Sequence, residues 1–124
     1  MAELSEKEKS AFMRAAPRLL ETWKISDQEA QKLLALSEFE WARLKKGRGG
    51  NLNQDQFQRI GALVGLHVAL TLIFSGDVNR LPGWLRAENT GPVTRGRTAL
   101  EVMIEGGLPA IQRISGLLHA EANS

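Results

Sequence analysis

The sequence predicts an all-α fold, and three observations support this prediction. Apolar residues recur at three- and four-residue spacing along most of the chain, which is typical of helices that bury one face. Alternation of apolar and polar residues, the pattern of a half-buried strand, never extends beyond a few positions. Ser, Thr or Asn precedes Glu or Gln by three residues at several points, and such capping boxes mark helix starts. We therefore expect about six helices.

The N-terminal part is predicted to contain a helix-turn-helix. A first helix runs from Ser5 to about Trp23, and Pro17 is expected to kink or split it. Two short helices follow, over residues 26–34 and 37–46. Two short helices joined by a three-residue turn form the helix-turn-helix arrangement. The second of them carries three apolar residues, Phe39, Trp41 and Leu44.

A long central helix, from Asn53 to Phe74, is expected to organise the rest of the chain. No charged side chain occurs between Ile60 and Phe74, and the helix carries apolar residues on nearly all of its faces. Such a helix must be covered on nearly all sides. Its uncharged part is about 22 Å long, which is shorter than the ~30 Å hydrocarbon core of a membrane. We therefore expect a buried scaffold helix with chain packed on both sides, and no membrane segment.

The C-terminal part is predicted to contain two further helices. The central helix ends with Gly76 in the left-handed conformation, and Pro82–Gly83 break the short helix or turn that follows. After a loop, a helix starts at Thr98 and ends at Gly106–Gly107, and Pro109 lies in the first turn of the last helix. The domains expected from this order are residues 1–74 and residues 75–124.

The composition is that of an ordinary soluble globular protein. Of the 124 residues, 43% are apolar and 24% are charged, and the net charge of +2 is too small to indicate nucleic-acid binding by itself. The absence of cysteine excludes disulfides and thiol chemistry. The charged N-terminus lacks the apolar segment of a secretory signal. We therefore expect a cytoplasmic protein.

Candidate catalytic groups are few and scattered. His67 and His119 have no carboxylate or second histidine at a metal-ligand spacing, and we expect His67 to be a core residue bonded to a backbone carbonyl. Glu101 and Glu105 lie four residues apart, but capping and solvation explain them. The glycine-rich segment 47–50 lacks the spacing and the preceding strand of a phosphate-binding loop. We predict no enzyme activity, no metal and no cofactor.

DNA binding is a stronger candidate. Between Arg43 and Arg59 five basic residues stand against one acid, and phosphate contacts need such a local surplus. Glu38 and Glu40 oppose this interpretation, because they occupy the first turn of the helix that would read base edges. The alternative is that the short helices only form a bundle around the central helix. The residues predicted to contact DNA are Ser37, Trp41, Arg43, Lys45, Lys46 and Arg48.

The segment from Trp84 to Leu118, WLRAENTGPVTRGRTALEVMIEGGLPAIQRISGLL, resembles the toxin-binding domain of Xre/MbcA/ParS-type antitoxins. That family has Trp-Leu, a loop with Asn, then Gly-(Arg/Lys)-(Ser/Thr)-Pro-Leu-Glu and a closing helix after a glycine. Ala99 stands where the family has proline. The upstream part is similar to the same family's Xre-like helix-turn-helix, so the resemblance extends from about Leu19. The matching elements are Trp84-Leu85, Asn89, Gly96–Glu101, Gly106-Gly107 and the helix 109–118.

The resemblance implies a type II antitoxin whose partner is a RES-domain toxin that consumes NAD. Such an antitoxin binds the toxin directly and covers the entrance to its active site, and it represses its own operon through the helix-turn-helix. The last helix and the tail to Ser124 would enter the toxin cleft. For Arg97 the alternative is an internal ion pair with Glu101. The residues expected to contact the toxin are Arg95, Arg97, Arg113, Leu117, His119 and Ser124.

A second function remains open, that of a dimeric helix-turn-helix transcriptional regulator without a toxin partner. A homodimer is expected in either case, because the chain carries more large apolar residues than a protein of this length easily hides. A two-fold dimer would also suit a palindromic operator DNA. The residues behind this expectation are Leu66, Leu70, Ile73, Trp84 and Met103.

Overall fold

Six α-helices make up most of the chain in a computed structural model, which describes residues 5–48, 51–88, 91 and 94–124. The helices are α1 (Glu6–Thr22), α2 (Asp27–Leu34), α3 (Glu38–Lys45), α4 (Gln54–Ile73), α5 (Leu81–Arg86) and α6 (Ala99–Ala122), with a 3₁₀ turn at Val78–Arg80. Within these ranges no strand occurs, and a single isolated bridge joins Glu88 and Thr98. The predicted all-α fold is confirmed. Asn89, which the family resemblance uses, lies outside the described residues.

The helix starts follow the sequence closely, because each is fixed by a local capping box. In all five boxes the side chain of the first residue accepts a hydrogen bond from the backbone N–H three positions later, and the Glu or Gln there accepts one in return. These bonds are 2.8–3.1 Å long. The boxes begin at Ser5, Ser26, Ser37, Asn53 and Thr98.

The helix ends are less regular than the sequence suggests. α4 ends in a Schellman motif, in which the N–H of Gly76 bonds the carbonyl of Thr71 at 2.8 Å. Gly76 is left-handed (φ 86°) as predicted, but Ser75 before it is left-handed too (φ 54°) and is the residue directly after the cap. Lys24 (φ 57°) and Ala35 (φ 55°) take the same conformation after α1 and α2. Among α1 to α4, only α3 has a glycine, Gly47, as the first left-handed residue at its end.

Two prolines disrupt the chain less than predicted. Pro17 does not divide α1, which runs as one helix with buried residues on either side of the proline, Ala16 and Leu19. Packing of that buried face compensates for the missing hydrogen bond. Pro82 does not break α5, because it lies in the first turn of that helix, where its missing N–H has no partner to lose.

The core lies around α4, which packs against α1 on one side and most extensively against α6 on the other. Leu66 and Leu70 of α4 and Met103 of α6 are fully buried, and Ile73 and Trp84 pack against the same core. The expectation of a homodimer rested on these five residues as surplus apolar surface. Three of them are buried within a single chain and the other two are partly buried, so these residues do not by themselves indicate a dimer, and the homodimer stays a prediction.

The central helix nevertheless keeps one exposed stripe. Val68 is 48% exposed and Leu72, one turn further along, is 60% exposed. The prediction of cover on nearly all sides is therefore too strong. Among the described residues α4 is the only helix long and apolar enough to cross a membrane, and here its buried residues lie in the protein core.

α6 bends sharply where the sequence predicts a break between two helices. At Gly107 the backbone takes φ 67° and ψ −152°, a conformation that only glycine adopts without strain. The guanidinium of Arg59 lies beside this bend, and it also donates to the carbonyl of Leu33 at 3.2 Å and pairs with Asp55 at 2.8 Å. Arg59 therefore connects the end of α2, the start of α4 and the bend of α6.

One hydrophobic cluster includes residues from both predicted domains, among them Leu20, Leu63, Leu85 and Ile111. The division at Phe74 stays a prediction, but the two parts share this core.

Candidate functional site

Three of the predicted toxin-contact residues line one cavity. Arg95 and Arg97 come from the loop before α6, and Arg113 comes from the part of α6 after the bend at Gly107. The cavity has a volume of about 400 Å³ and is open to solvent. We call it the basic pocket; its other lining residues are Thr94, Val102, Glu105, Gly106, Pro109 and Ala110.

Two local features of the backbone form this pocket. Arg95 (φ 50°) and Gly96 (φ 86°) are both left-handed, and the N–H of Arg95 bonds the carbonyl of Gly91 at 2.8 Å. This tight turn places both loop arginines on the same cavity. The bend at Gly107 supplies the concave wall, because residues on both sides of it line the pocket.

The pocket carries a surplus of positive charge. Arg97 lies 2.6 Å from a carboxylate oxygen of Glu105 and 4.0 Å from one of Glu101, and the hydrogen bond to Glu105 raises the pKa of Arg97. The internal pairing considered for Arg97 is therefore present, with Glu105 as its closer partner. Within the described residues, no ion pair or hydrogen bond involves the guanidinium groups of Arg95 and Arg113.

The other predicted toxin-contact residues lie at different places. Leu117 is 51% exposed and follows Arg113 by one helical turn, so it extends the same face of α6. His119 faces α4 instead, with its Nε2 3.5 Å from where a Cβ on Gly65 would stand. Ser124 is at the chain end, where its hydroxyl donates to the carbonyl of Glu121 at 2.8 Å. The structure therefore groups Leu117 with the three arginines and separates His119 from them.

The last helix is not a projecting end. Its inner face, with Ile111, Ile114 and Leu118, is part of the core, and the helix continues to Ala122. Glu121 and Ala122, expected to belong to the tail, are part of the helix. What this helix offers to a partner is its outer face, held firmly by the buried inner face.

The predicted DNA-contact residues comprise one buried side chain, Trp41, and five exposed ones. Trp41 is 5% exposed, and its indole donates to Asp27 Oδ1 at 2.8 Å. Lys45 pairs with the same carboxylate at 2.9 Å, and the hydrogen bonds from Trp41 and Lys45 lower the pKa of Asp27. Ser37 uses its hydroxyl in the capping box. The two contacts to Asp27 connect α3 to α2. The exposed members of the set are Ser37, Arg43, Lys45, Lys46 and Arg48.

Sequence reasoning missed the most exposed large apolar side chain described, Phe39, which is 68% exposed. The guanidinium of Arg43 lies 5.6 Å from the centre of its ring. The signal was available in the spacing: Trp41 and Leu44, three residues apart, define the buried face of α3, and Phe39 does not fall on it.

His67 is partly buried and has a different partner from the one predicted. His67 Nδ1 accepts a hydrogen bond of 3.0 Å from the indole of Trp23, not from a backbone carbonyl. The acceptor role requires that the proton of the neutral ring be on Nε2. Burial lowers the pKa of His67. Among the described residues no three metal-ligating side chains come together.

A second polar contact holds α5 against α2. Arg86 donates to both carboxylate oxygens of Glu29, at 2.9 and 2.7 Å, and to the carbonyl of Lys24 at 3.1 Å. The hydrogen bonds from Arg86 are the main reason that the pKa of Glu29 falls to about 2. Glu29 is also the second member of a capping box, so this pair is structural.

Comparison with known proteins agrees with the helix-turn-helix class that α2 and α3 define. Residues 3–65 match the family model of the antitoxin Xre-like helix-turn-helix domain. The chain belongs to this antitoxin family. It is also 30% identical over 118 residues to the uncharacterized protein y4oB of Sinorhizobium fredii (strain NBRC 101917 / NGR234), across 92% of this chain and 83% of that protein. No solved structure matches.

Proposed function

We propose that this chain is the antitoxin of a type II toxin–antitoxin pair and that it neutralises a RES-domain, NAD-consuming toxin by binding it and covering its active-site entrance. The basic pocket is the observation that carries this proposal. Membership of the antitoxin family supports a toxin partner in general. The identity of the toxin follows from the resemblance of residues 84–118 to the toxin-binding domain.

The chemistry of the pocket suits an acidic surface on the partner. Guanidinium groups bind carboxylates or phosphates through two parallel hydrogen bonds. Arg95 and Arg113 are exposed for such bonds, and Leu117 offers an apolar contact beside them. The outer face of α6 replaces the projecting tail as the part that covers the toxin, because the helix is anchored along its length.

The chain acts without catalysis, in the cytoplasm, and represses its own operon through α3. Repression from a palindromic operator would require a homodimer. The exposed stripe of Val68 and Leu72 is the available apolar surface on α4 for such a contact. The second candidate function is a dimeric regulator with no toxin partner, for which the exposed face of α3 is the supporting observation.

The test of toxin binding is a charge reversal in the basic pocket. The double variant Arg95→Glu and Arg113→Glu should bind a RES-domain toxin that the parent chain neutralises at least about 100-fold more weakly, because opposing a charge in an interface costs about 2–5 kcal/mol. The matched control is Arg14→Glu with Arg18→Glu, which makes the same charge change on an exposed face of α1. Binding is measured by calorimetry, and neutralisation by NAD consumption.

A third variant sharpens the result. Glu105→Gln removes the negative charge from the pocket and frees Arg97, so it should bind the toxin more tightly than the parent chain. Truncation is less informative than substitution here, since Leu118 is buried. Unchanged affinity of the pocket double variant would refute the role of the pocket, and repression without any effect on NAD consumption would favour the second candidate.

A further inference from the structure

Phe39 occupies an unusual position for a large apolar side chain. It is 68% exposed and is the second residue of α3, the second helix of the helix-turn-helix. In proteins of this architecture the N-terminal residues of the second helix contact base edges in the major groove. An exposed phenyl ring can pack against the C5-methyl group of thymine, which is the only apolar group in that groove.

Arg43 lies one helical turn after Phe39, and the two side chains lie next to each other on α3. Its guanidinium lies 5.6 Å from the centre of the ring and donates to the carbonyl of Arg48 at 3.3 and 3.4 Å. Arginine binds guanine O6 and N7 with two hydrogen bonds. Residues four apart on a helix are about 6 Å apart, so the two side chains can reach neighbouring base pairs.

The charged side chains around Phe39 and Arg43 are more compatible with a DNA duplex than the two glutamates in the first turn of α3 suggest. Glu40 accepts a hydrogen bond from the backbone N–H of Ser37 at 2.8 Å, so its carboxylate is turned back toward the cap. Glu38 is the carboxylate left exposed in the first turn. Lys46 and Arg48 are exposed at the other end of α3, where they can contact phosphates.

We propose that Phe39 and Arg43 read a thymine next to a guanine in the major groove, with the phenyl ring on the thymine methyl group and the guanidinium on guanine O6 and N7. This inference rests on the DNA-binding part of the proposed function and goes beyond it by naming the bases and the residues. It treats α3 as a sequence reader and the basic residues after it as phosphate contacts.

The test begins with duplexes selected from a random library by the full-length chain. In the selected site each thymine is replaced in turn by deoxyuridine, which lacks the methyl group. At one position, beside a guanine, the parent chain should bind roughly fourfold more weakly, as expected for one methyl group. Phe39→Ala should bind the thymine duplex as weakly as the parent binds the uracil duplex, and should not distinguish the two.

Arg43 is tested with 7-deazaguanine, which lacks the N7 acceptor. Arg43→Lys should bind the guanine site about tenfold more weakly than the parent and should be less sensitive to the 7-deaza change. The matched control is Arg14→Lys, the same substitution at an exposed arginine of α1, which should bind DNA like the parent. Because Phe39 is exposed, Phe39→Ala should also melt like the parent.

Each remaining outcome overturns the inference. If the parent chain is insensitive to every thymine methyl group, DNA binding stands but this pair does not read a methyl group. If no duplex is selected, the DNA-binding part of the proposed function fails as well, while toxin neutralisation is unaffected. If Phe39→Ala loses toxin binding but not DNA binding, the exposed ring belongs to a protein interface.

Discussion

Trp23 and His67 are 44 residues apart in the sequence, yet their side chains form one hydrogen bond of 3.0 Å between α1 and α4. Trp23 is fully buried, so its indole N–H depends on this acceptor. An indole N–H left without a partner in the core would cost about 1–3 kcal/mol. The sequence marks His67 as an interior residue but cannot indicate this partner, because the pairing depends on how the helices pack.

This pair makes stability depend on pH. Burial lowers the pKa of His67, so the unfolded chain takes up a proton at a higher pH than the folded chain. The stabilisation is therefore complete above the ordinary histidine pKa of about 6.5 and decreases as the pH falls below that value. We expect a lower free energy of unfolding at pH 5.5 than at pH 7.5, measured by urea titration with circular dichroism.

His67→Asn is the informative variant for that measurement. The amide oxygen can accept the indole hydrogen bond but does not titrate. The variant should therefore lose less stability than the parent between pH 7.5 and 5.5. An equal loss in both proteins would assign the pH dependence to other groups.

The helix starts show how much the sequence predicts at the level of elements. All five lie within one residue of the predicted starts, because a capping box is complete within four residues. The ends were harder to place, since Lys24 and Ser75 are left-handed without being glycine. The left-handed conformation costs a residue other than glycine about 1–2 kcal/mol, and packing beyond the turn must offset this cost. That packing is not visible in a local pattern.

The basic pocket was predictable only in part, because one of its features is local in the sequence and another depends on how the chain packs. Arg95 and Arg97 share a loop, and their common orientation follows from a local turn. That Arg113 joins them depends on the direction of the bend at Gly107, which a Gly-Gly pair marks but does not specify. The exposure of Phe39 was not predicted, because it was grouped with Trp41 and Leu44 as apolar without regard to its angular position on the helix.

Two glycine-to-alanine substitutions in α6, one at the bend and one beyond it, should change the free energy of unfolding in opposite directions. Gly107→Ala should lower the free energy of unfolding by about 1–3 kcal/mol, because alanine does not adopt this conformation without strain. Its Cβ would also stand 3.1 Å from the Arg59 guanidinium. Gly116→Ala, in the same helix, meets no neighbour within 4 Å and should raise the free energy of unfolding by up to about 1 kcal/mol.

Urea unfolding of the two variants in parallel measures both effects. Since each replaces glycine by alanine, the hydrophobic change is the same in both. If Gly107→Ala were as stable as the parent, residue 107 would have to be able to leave the left-handed region, and the concave wall of the basic pocket would not depend on it.

At the scale of the molecule, the shared core decides whether the two predicted domains can exist apart. The most extensive helix contact is between α4, in residues 1–74, and α6, in residues 75–124. A fragment of residues 1–74 would expose the buried side of α4 that α6 covers. We expect this fragment to unfold without a cooperative transition or to self-associate.

Thermal melting tests whether the fragment unfolds cooperatively, and size-exclusion chromatography tests whether it self-associates. The control is a chain ending at residue 122, which removes only the two residues after α6 and should melt like the full-length protein. A monomeric, cooperatively melting 1–74 fragment would mean that the helix-turn-helix part is an independent domain and that the division at Phe74 is a real boundary.

The position of α4 also bears on how genetic data for this protein should be interpreted. A random mutagenesis screen for alleles that fail to neutralise a toxin will return many substitutions at Leu33, Leu63 or Leu66, although none of these lies in the basic pocket. Under the proposed function, alleles that fail to repress will likewise map to buried positions such as Met103 or Ile111. An allele identifies a contact surface only when the other phenotype is retained, and selecting for such separation of function distinguishes the two surfaces without purified protein.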